Sequence, residues 1–140
     1  MLGRLATWLR LLGYDTAYPR NAADADLARL ARSEERVLLT RDVELTRRRG
    51  VRCLLIESDQ VFLQVQQVLT AFRLTTQDAF SRCTVCNNSL VEVAKESVRG
   101  SVPPYVYDTQ ERFCRCTKCE RIYWRGTHWA QIAARLEDFA

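Results

Sequence analysis

Two short cysteine pairs constrain this chain more than any other feature of its sequence. Cys83 and Cys86 form one C-x-x-C pair, and Cys116 and Cys119 form a second pair later in the chain. A C-x-x-C pair holds two thiolates on one tight turn, and two such turns supply the tetrahedral four-sulfur site that zinc prefers. The sequence therefore predicts one zinc ion bound by all four cysteines. Since four protein ligands leave no open position, we expect its role to be structural.

The sequence also allows other interpretations of the cysteines. Two redox-active pairs, a disulfide framework or a different metal would use the same residues. Cys114, two residues before Cys116, is an alternative ligand candidate, although a core or surface thiol is the simpler reading. Cys53 lies in an apolar run and is most simply a small buried hydrophobic residue.

Composition and charge indicate a soluble globular protein. The 140 residues are 47% hydrophobic and 27% charged, and the net charge of +4 is compatible with a nucleic-acid partner without requiring one. No apolar stretch approaches the roughly 18 residues of a membrane span. The N-terminal run contains Arg4 and Arg10, so it predicts an amphipathic helix and not a signal peptide. We therefore expect a cytoplasmic protein without a membrane partner, where reduced thiols favour metal binding.

The first half of the chain alternates between helix and strand patterns. Apolar spacing predicts a helix over residues 2–12 that ends at Gly13, and Asp24 is a suitable N-cap for a second helix. This alternation predicts an α/β domain with a mostly parallel sheet. The remaining predicted elements are strands over 15–18, 37–40 and 51–57, a short basic helix over 44–49 and a helix over 61–72.

The second half is more polar and reads as short strands followed by a helix. We predict a domain boundary between residues 76 and 77, giving domains 1–76 and 77–140. A Gly-Ser-Val-Pro-Pro cluster at 100–104 reads as a structure breaker. The predicted strands are 90–94, 112–116 and 121–124, and the predicted helix is 129–139.

Three aspartates occupy positions that suit a metal site. Asp42 and Asp59 follow predicted strands, and Asp24 begins a predicted helix. Ligands of open α/β sheets bind at the carboxyl ends of strands, where clustered carboxylates hold Mg²⁺ or Mn²⁺. Simpler roles stay open, namely helix capping for Asp24 and Asp42 and a turn for Asp59. Three other aspartates, Asp15, Asp26 and Asp78, have the sequence surroundings of solvated surface residues.

Basic and aromatic residues suggest where a nucleic acid could bind. Arg41 begins a basic cluster with residues 47–49 beside Asp42, which could position phosphates or simply be solvated. Trp124, Arg125 and His128 interleave charge and aromatic surface, as single-stranded RNA binding requires. The alternative is a small core packed around the zinc. His128 is the only histidine, so a histidine general base would depend on this one residue.

Several segments together resemble the Mut7-C family, over essentially the whole chain and in the expected order. The segments are MLGRLATWLRLLGYDT, LLTRD, SRCTVC, VPPYVY and RIYWRGTHW. The resemblance implies a PIN-like domain, with a mostly parallel sheet flanked by helices, followed by a zinc ribbon. It implies ribonuclease activity on RNA. Asp24 and Asp42 match acidic positions of the PIN-type site, which would hold Mg²⁺ or Mn²⁺; Asp59 matches less closely.

One departure from the family concerns the N-terminus. Family members usually begin with a strand ending in aspartate ahead of the MLGRLA segment, whereas this sequence starts at Met1. The resemblance then implies a sheet without its first strand and a metal site without one ligand, through a misassigned start or through degeneration. We expect a metal-dependent endoribonuclease that is impaired in this form. The alternatives are a non-catalytic nucleic-acid- or ribosome-binding module and a protein-interaction or toxin-like module.

Overall fold

The computed structural model describes residues 2–126 and residue 134, and the chain forms two small sheets with flanking helices. The first sheet is parallel and the second antiparallel, so the predicted mixed α/β class is confirmed. The helices are α1 Gly3–Leu11, α2 Asp24–Ser33, α3 Val61–Phe72 and α4 Pro104–Thr109. The strands are β1 Val37–Thr40, β2 Arg52–Leu55, β3 Leu90–Val93, β4 Phe113–Cys116 and β5 Ile122–Tyr123. Two 3-10 helices cover Leu45–Arg47 and Lys95–Val98.

The core of the first half forms between α1 and α3. Leu5, Leu9 and Leu12 recur on one face of α1 and are almost completely buried. They pack with Ile56, just after β2, and with Val65 of α3. Burying such side chains stabilises the fold by roughly 2 kcal/mol each. For this reason, the spacing of apolar residues in the sequence correctly predicted both α1 and α3.

Gly13 ends α1 in a conformation that other residues rarely adopt. Its φ is +98°, and a Cβ atom at this position would lie 2.3 Å from the backbone oxygen of Asp78. The glycine therefore serves two purposes: it closes the helix, and it allows residues 78–81 to approach the end of α1. The predicted helix-ending role of Gly13 is confirmed.

We expect Gly13→Ala to lower the free energy of unfolding by about 3 kcal/mol, because the left-handed backbone and the backbone clash both oppose the new Cβ. Gly100→Ala is the matched control, since Gly100 has a φ of +83° but no atom of the described residues lies within 4 Å of its Cβ position. The control should cost only about 1 kcal/mol. Urea unfolding of both variants checks this, and equal losses would show that the close approach of Asp78 is unimportant.

The parallel sheet contains β1 and β2. Val37 pairs with Arg52 and Thr40 with Leu55, and the Ile56 amide donates a hydrogen bond to the Thr40 oxygen at 2.7 Å. Within the described residues, the other edge of β1 has no partner strand. The helix predicted over 61–72 is confirmed at both ends by α3, and the strand predicted over 51–57 is shorter at each end.

The second sheet has the order β3–β4–β5, with antiparallel neighbours. Phe113 is completely buried and packs with Val98, Val102 and Val106. The last of these lies on α4, a helix that was not predicted, because the Pro103-Pro104 pair reads as a breaker. A proline at the first position of a helix already has the required φ and lacks only an amide that would be unpaired there, so Pro104 starts α4.

Two local predictions were wrong. Residues 15–18 do not form a strand, because side chains already bond the backbone of Thr16. Its amide donates to Oδ1 of Asn87 at 3.0 Å, and its oxygen accepts from Nε of Arg10 at 2.8 Å. Asp24 is not an N-cap: Ala23 holds that position without a side-chain bond, and Asp24 is the first helical residue. A carboxylate there still interacts favourably with the helix dipole.

Two further predictions stand untested. The final helix predicted over 129–139 lies outside the described residues, apart from residue 134. The boundary between residues 76 and 77 remains a prediction. Among the described residues, no helix combines the length and apolar character that crossing a membrane would require.

Candidate metal centre and carboxylate cleft

The four predicted cysteines converge on one point. The sulfur atoms of Cys83, Cys86, Cys116 and Cys119 all lie within 4.8 Å of one another, and those of Cys83 and Cys119 are 3.6 Å apart. Zinc–sulfur bonds of about 2.3 Å in a tetrahedron separate sulfurs by about 3.8 Å, whereas a disulfide needs about 2.05 Å. The cysteines are thus positioned to bind a metal ion, and the four-sulfur donor set is consistent with structural zinc.

The two cysteine turns are built alike. The residue after each pair, Asn87 or Glu120, has a φ near +65° and donates its amide to the oxygen of the first cysteine, at 2.9 Å and 3.0 Å respectively. The second cysteine of each pair donates its amide to the sulfur of the first, at 3.4 Å in Cys86 and 3.5 Å in Cys119. These local bonds explain why the C-x-x-C spacing alone predicts the site.

Hydrogen bonds also set the charge of the sulfurs. Burial raises the pKa of the Cys83 thiol, but the Tyr123 hydroxyl, 3.1 Å away, and the amides of Cys86 and Val85 outweigh it and lower the pKa to about 6. The hydrogen bond with Cys119 and the nearby sulfurs raise the pKa of Cys86 to about 12. The metal-free cluster therefore retains protons that a bound cation displaces.

The remaining cysteines lie outside this cluster. Cys114 is half-buried on β4 and is not among the converging ligands, so the alternative in which it binds the metal is not supported. Cys53 is half-buried on β2, and desolvation raises the pKa of its thiol. Cys53 is therefore less buried than the predicted small buried hydrophobic residue.

A cleft of about 1040 Å³ opens between α1, α2 and β1. Its buried lining is mostly apolar, with Leu5, Leu9 and Ala31, and also contains Thr40. Its exposed lining includes both Asp24 and Asp42, so two of the three predicted acidic residues share one cavity. Within the part of the chain that the structure describes, the four cysteines are the only group of three or more potential metal ligands within 4.8 Å of one another.

Asp42 is held in place at the end of β1. Its amide donates to Oγ1 of Thr40 at 3.0 Å, and its Oδ1 accepts from the amide of Glu44 at 2.9 Å. The second carboxylate oxygen has no hydrogen-bond partner among the described residues. Asp42 thus closes a turn. The predicted capping role is wrong, since Glu44 is the N-cap of the 3-10 helix Leu45–Arg47 and no side chain caps it.

Asp59 lies elsewhere. It is exposed in the loop that precedes α3, and it is not among the residues that line the cleft. The expectation that strand ends bring acidic residues together therefore matches Asp42 better than Asp59.

Asp15 is a cleft residue that sequence reasoning assigned to solvated surface. Its Oδ1 accepts hydrogen bonds from Nδ2 of Asn87 at 2.7 Å and from Nη1 of Arg36 at 3.1 Å. The bond from Asn87, and then that from Arg36, lower the pKa of the Asp15 carboxyl. No local signal identifies this network, because Asn87 is far away in sequence.

The predicted nucleic-acid residues are distributed over both halves. Arg41 is exposed in the lining of the cleft. Trp124 packs against Phe113, with ring centres 6.3 Å apart, and lines a second depression of about 690 Å³. Arg125 donates to the oxygen of Ala79 at 2.9 Å. His128 lies outside the described residues.

Comparison with known proteins gives one match. The model of the family described as the Mut7-C RNAse domain matches residues 1–136. No curated protein and no solved structure matches the chain.

Proposed function

Since the chain belongs to the Mut7-C RNAse domain family, we propose that it is a metal-dependent ribonuclease that hydrolyses RNA phosphodiester bonds in the cleft between α1, α2 and β1. The observation that carries this proposal is that Asp24 and Asp42, which come from different elements, line the same cleft. The proposal includes a PIN-like first domain and a zinc ribbon formed by β3, β4 and β5.

The exposed carboxylates of the cleft suit Mg²⁺ or Mn²⁺. Such ions are typically held by one or two carboxylates together with water and substrate phosphate. When bound, the ion lowers the pKa of a coordinated water and offsets charge on the phosphate. Asp24 and Asp42 would hold it, and the turn at Glu44 would orient Asp42. Asp59 would take part only if the loop before α3 moved towards the cleft.

Unpaired basic side chains beside these carboxylates would bind RNA. Arg20 and Arg41 line the cleft, and neither guanidinium has a hydrogen-bond or ion-pair partner among the described residues. They are therefore free to bind phosphates. On the ribbon, Arg115 and Trp124 line the second depression, and Nε of Arg115 is buried without a hydrogen-bond partner in the part of the chain that the structure describes. We propose that Trp124, Arg125 and His128 contact single-stranded RNA.

A second candidate function is nucleic-acid or ribosome binding without cleavage. It is favoured because, among the described residues, Asp24 and Asp42 do not belong to any group of three or more potential metal ligands within 4.8 Å of one another. Two carboxylates bind a cation more weakly than a larger set, so we expect slow turnover even if the protein is a nuclease.

The test is cleavage of a labelled single-stranded RNA by the zinc-loaded chain during titration with Mn²⁺. We expect slow cleavage that requires Mn²⁺ or Mg²⁺, and binding measured by fluorescence anisotropy that does not. Tight binding without cleavage at saturating Mn²⁺ would favour the second candidate. A protein that neither binds nor cleaves the RNA would contradict both candidate functions.

A further inference from the structure

The cysteine turn at 83–86 is bonded directly to one wall of the carboxylate cleft. This wall is the segment from Tyr14 to Arg20, which connects α1 to the loop before α2 and lines the cleft. Its backbone belongs to neither a helix nor a strand. Its position therefore depends on contacts from outside the segment.

Thr16 receives such contacts on both of its backbone polar groups. Its amide donates to Oδ1 of Asn87, and its oxygen accepts from Nε of Arg10. The same Arg10 donates from Nη1 to the oxygens of Thr84 and Val85, at 3.0 Å and 3.2 Å, inside the cysteine turn. The Thr16 amide is thus bonded to Asn87, the residue after Cys86. The Thr16 oxygen is bonded to Arg10, whose side chain is itself bonded to the cysteine turn.

A third bond extends this connection into the cleft. Nδ2 of Asn87 donates to Asp15, which also accepts from Arg36. Both Asp15 and Arg36 line the cleft. Asn87 therefore uses both ends of its amide on neighbouring residues of the wall.

We propose that Asn87 is a positioning residue that makes the order of the cleft wall depend on metal binding at the four cysteines. The backbone of Asn87 is fixed by the cysteine turn, through its φ of +65° and its bond to the Cys83 oxygen. Small metal sites of this kind fold when the metal binds. Loss of the metal releases Asn87, and with it the bonds to Asp15 and Thr16. The inference does not require that the cleft cleave RNA.

The decisive measurement is hydrogen exchange of the Thr16 amide in the full chain, followed by NMR. Asn87→Gly keeps the left-handed backbone but removes both side-chain bonds. We expect the zinc-loaded variant to exchange about ten times faster than wild type at Thr16, with zinc content unchanged. Chelation of zinc from the unmodified chain should have a similar effect at Thr16, while amides in the middle of α3 remain protected.

Asn88→Ala is the matched control, because Asn88 is adjacent, exposed and makes no side-chain hydrogen bond with the described residues. Its Thr16 amide should exchange as in wild type. Equal exchange in the two variants would overturn the inference, as would a Thr16 amide that stays protected after zinc removal. The chelation experiment uses the unmodified chain, so it remains decisive even if Asn87→Gly binds zinc poorly. Additive effects of chelation and Asn87→Gly at Thr16 would also contradict it, since both act on the same bond.

Discussion

Replacing Cys83 with serine is expected to abolish metal binding by the cysteine cluster and to unfold the β3–β4–β5 sheet. Cys83 is completely buried, and its sulfur lies 3.6 Å from that of Cys119. Structural zinc contributes roughly 10–16 kcal/mol to the folding of small zinc domains. That amount is comparable to the whole stability of a typical domain, about 5–15 kcal/mol.

The antiparallel sheet cannot compensate for this loss from its own core. Among the described residues, its buried apolar cluster contains Phe113 and three valines, and β5 has two residues. Cores of this size rarely stabilise a fold without a metal or a disulfide. The first half has its own core between α1 and α3, so α1, α2 and α3 should remain helical in the variant.

Cys114→Ser is the appropriate control, because Cys114 lies on the same strand as Cys116 but outside the cluster. We expect one zinc ion per chain in the wild type and in Cys114→Ser, and none in Cys83→Ser, by metal analysis of the purified proteins. In Cys83→Ser, NMR spectra should lose dispersion for residues of the second sheet and of the cleft wall at 14–20, while resonances from α1 and α3 stay dispersed. A Cys83→Ser protein with a full complement of zinc and an unchanged spectrum would show that the metal is held differently.

The features predicted correctly from the sequence are those that depend on near neighbours. Each cysteine turn is closed by bonds within a few residues, so the spacing of Cys83 and Cys86 is sufficient to identify it. The bounds of α3 follow from apolar residues three and four apart, and the end of α1 follows from Gly13. In each case, the interactions that could favour a different local structure also come from residues nearby in the sequence.

The features that were missed depend on partners far away in sequence. Residues 15–18 have an extended pattern, but Asn87 and Arg10 occupy the backbone groups that a neighbouring strand would need. The sequence around Asp15 is that of an ordinary surface residue. Its carboxylate is held at the cleft by hydrogen bonds from Asn87 and Arg36. Pro104 was interpreted as a helix breaker. It starts α4 instead because the helix that follows is stabilised by the packing of Val106 against Phe113, which is not visible in the local sequence.

The acidic residues show how far the rule about strand ends extends. The rule predicts which edge of a sheet carries Asp42 and Asp59, but not how far apart they lie along that edge. The loop that leads from β2 into α3 carries Asp59, whereas Asp24 reaches the cleft from a helix. The pair that shares the cavity is therefore Asp24 and Asp42.

We expect Asp42→Asn to reduce RNA cleavage by about 100-fold or more while leaving the fold and RNA binding intact. Removing the negative charge weakens cation binding and the stabilisation of charge in the transition state. The asparagine keeps an Oδ1 atom that can accept the hydrogen bond from Glu44, so the turn after β1 should persist. Cleavage rates at several Mn²⁺ concentrations, with anisotropy and thermal melts in parallel, measure each effect separately.

Asp26→Asn provides the matched control for this charge removal. Asp26 lies on α2 two residues from Asp24, but it does not line the cleft, and its ion pair with Arg29 at 3.2 Å is well exposed. Such a pair contributes little to stability, so Asp26→Asn should cleave RNA at the wild-type rate. Equal rates for both variants and wild type would show that any nuclease activity resides outside this cleft. A parallel fall in RNA affinity and cleavage in Asp42→Asn would instead indicate that Asp42 helps to shape the binding surface, since a metal ligand alone should affect the rate and its Mn²⁺ dependence.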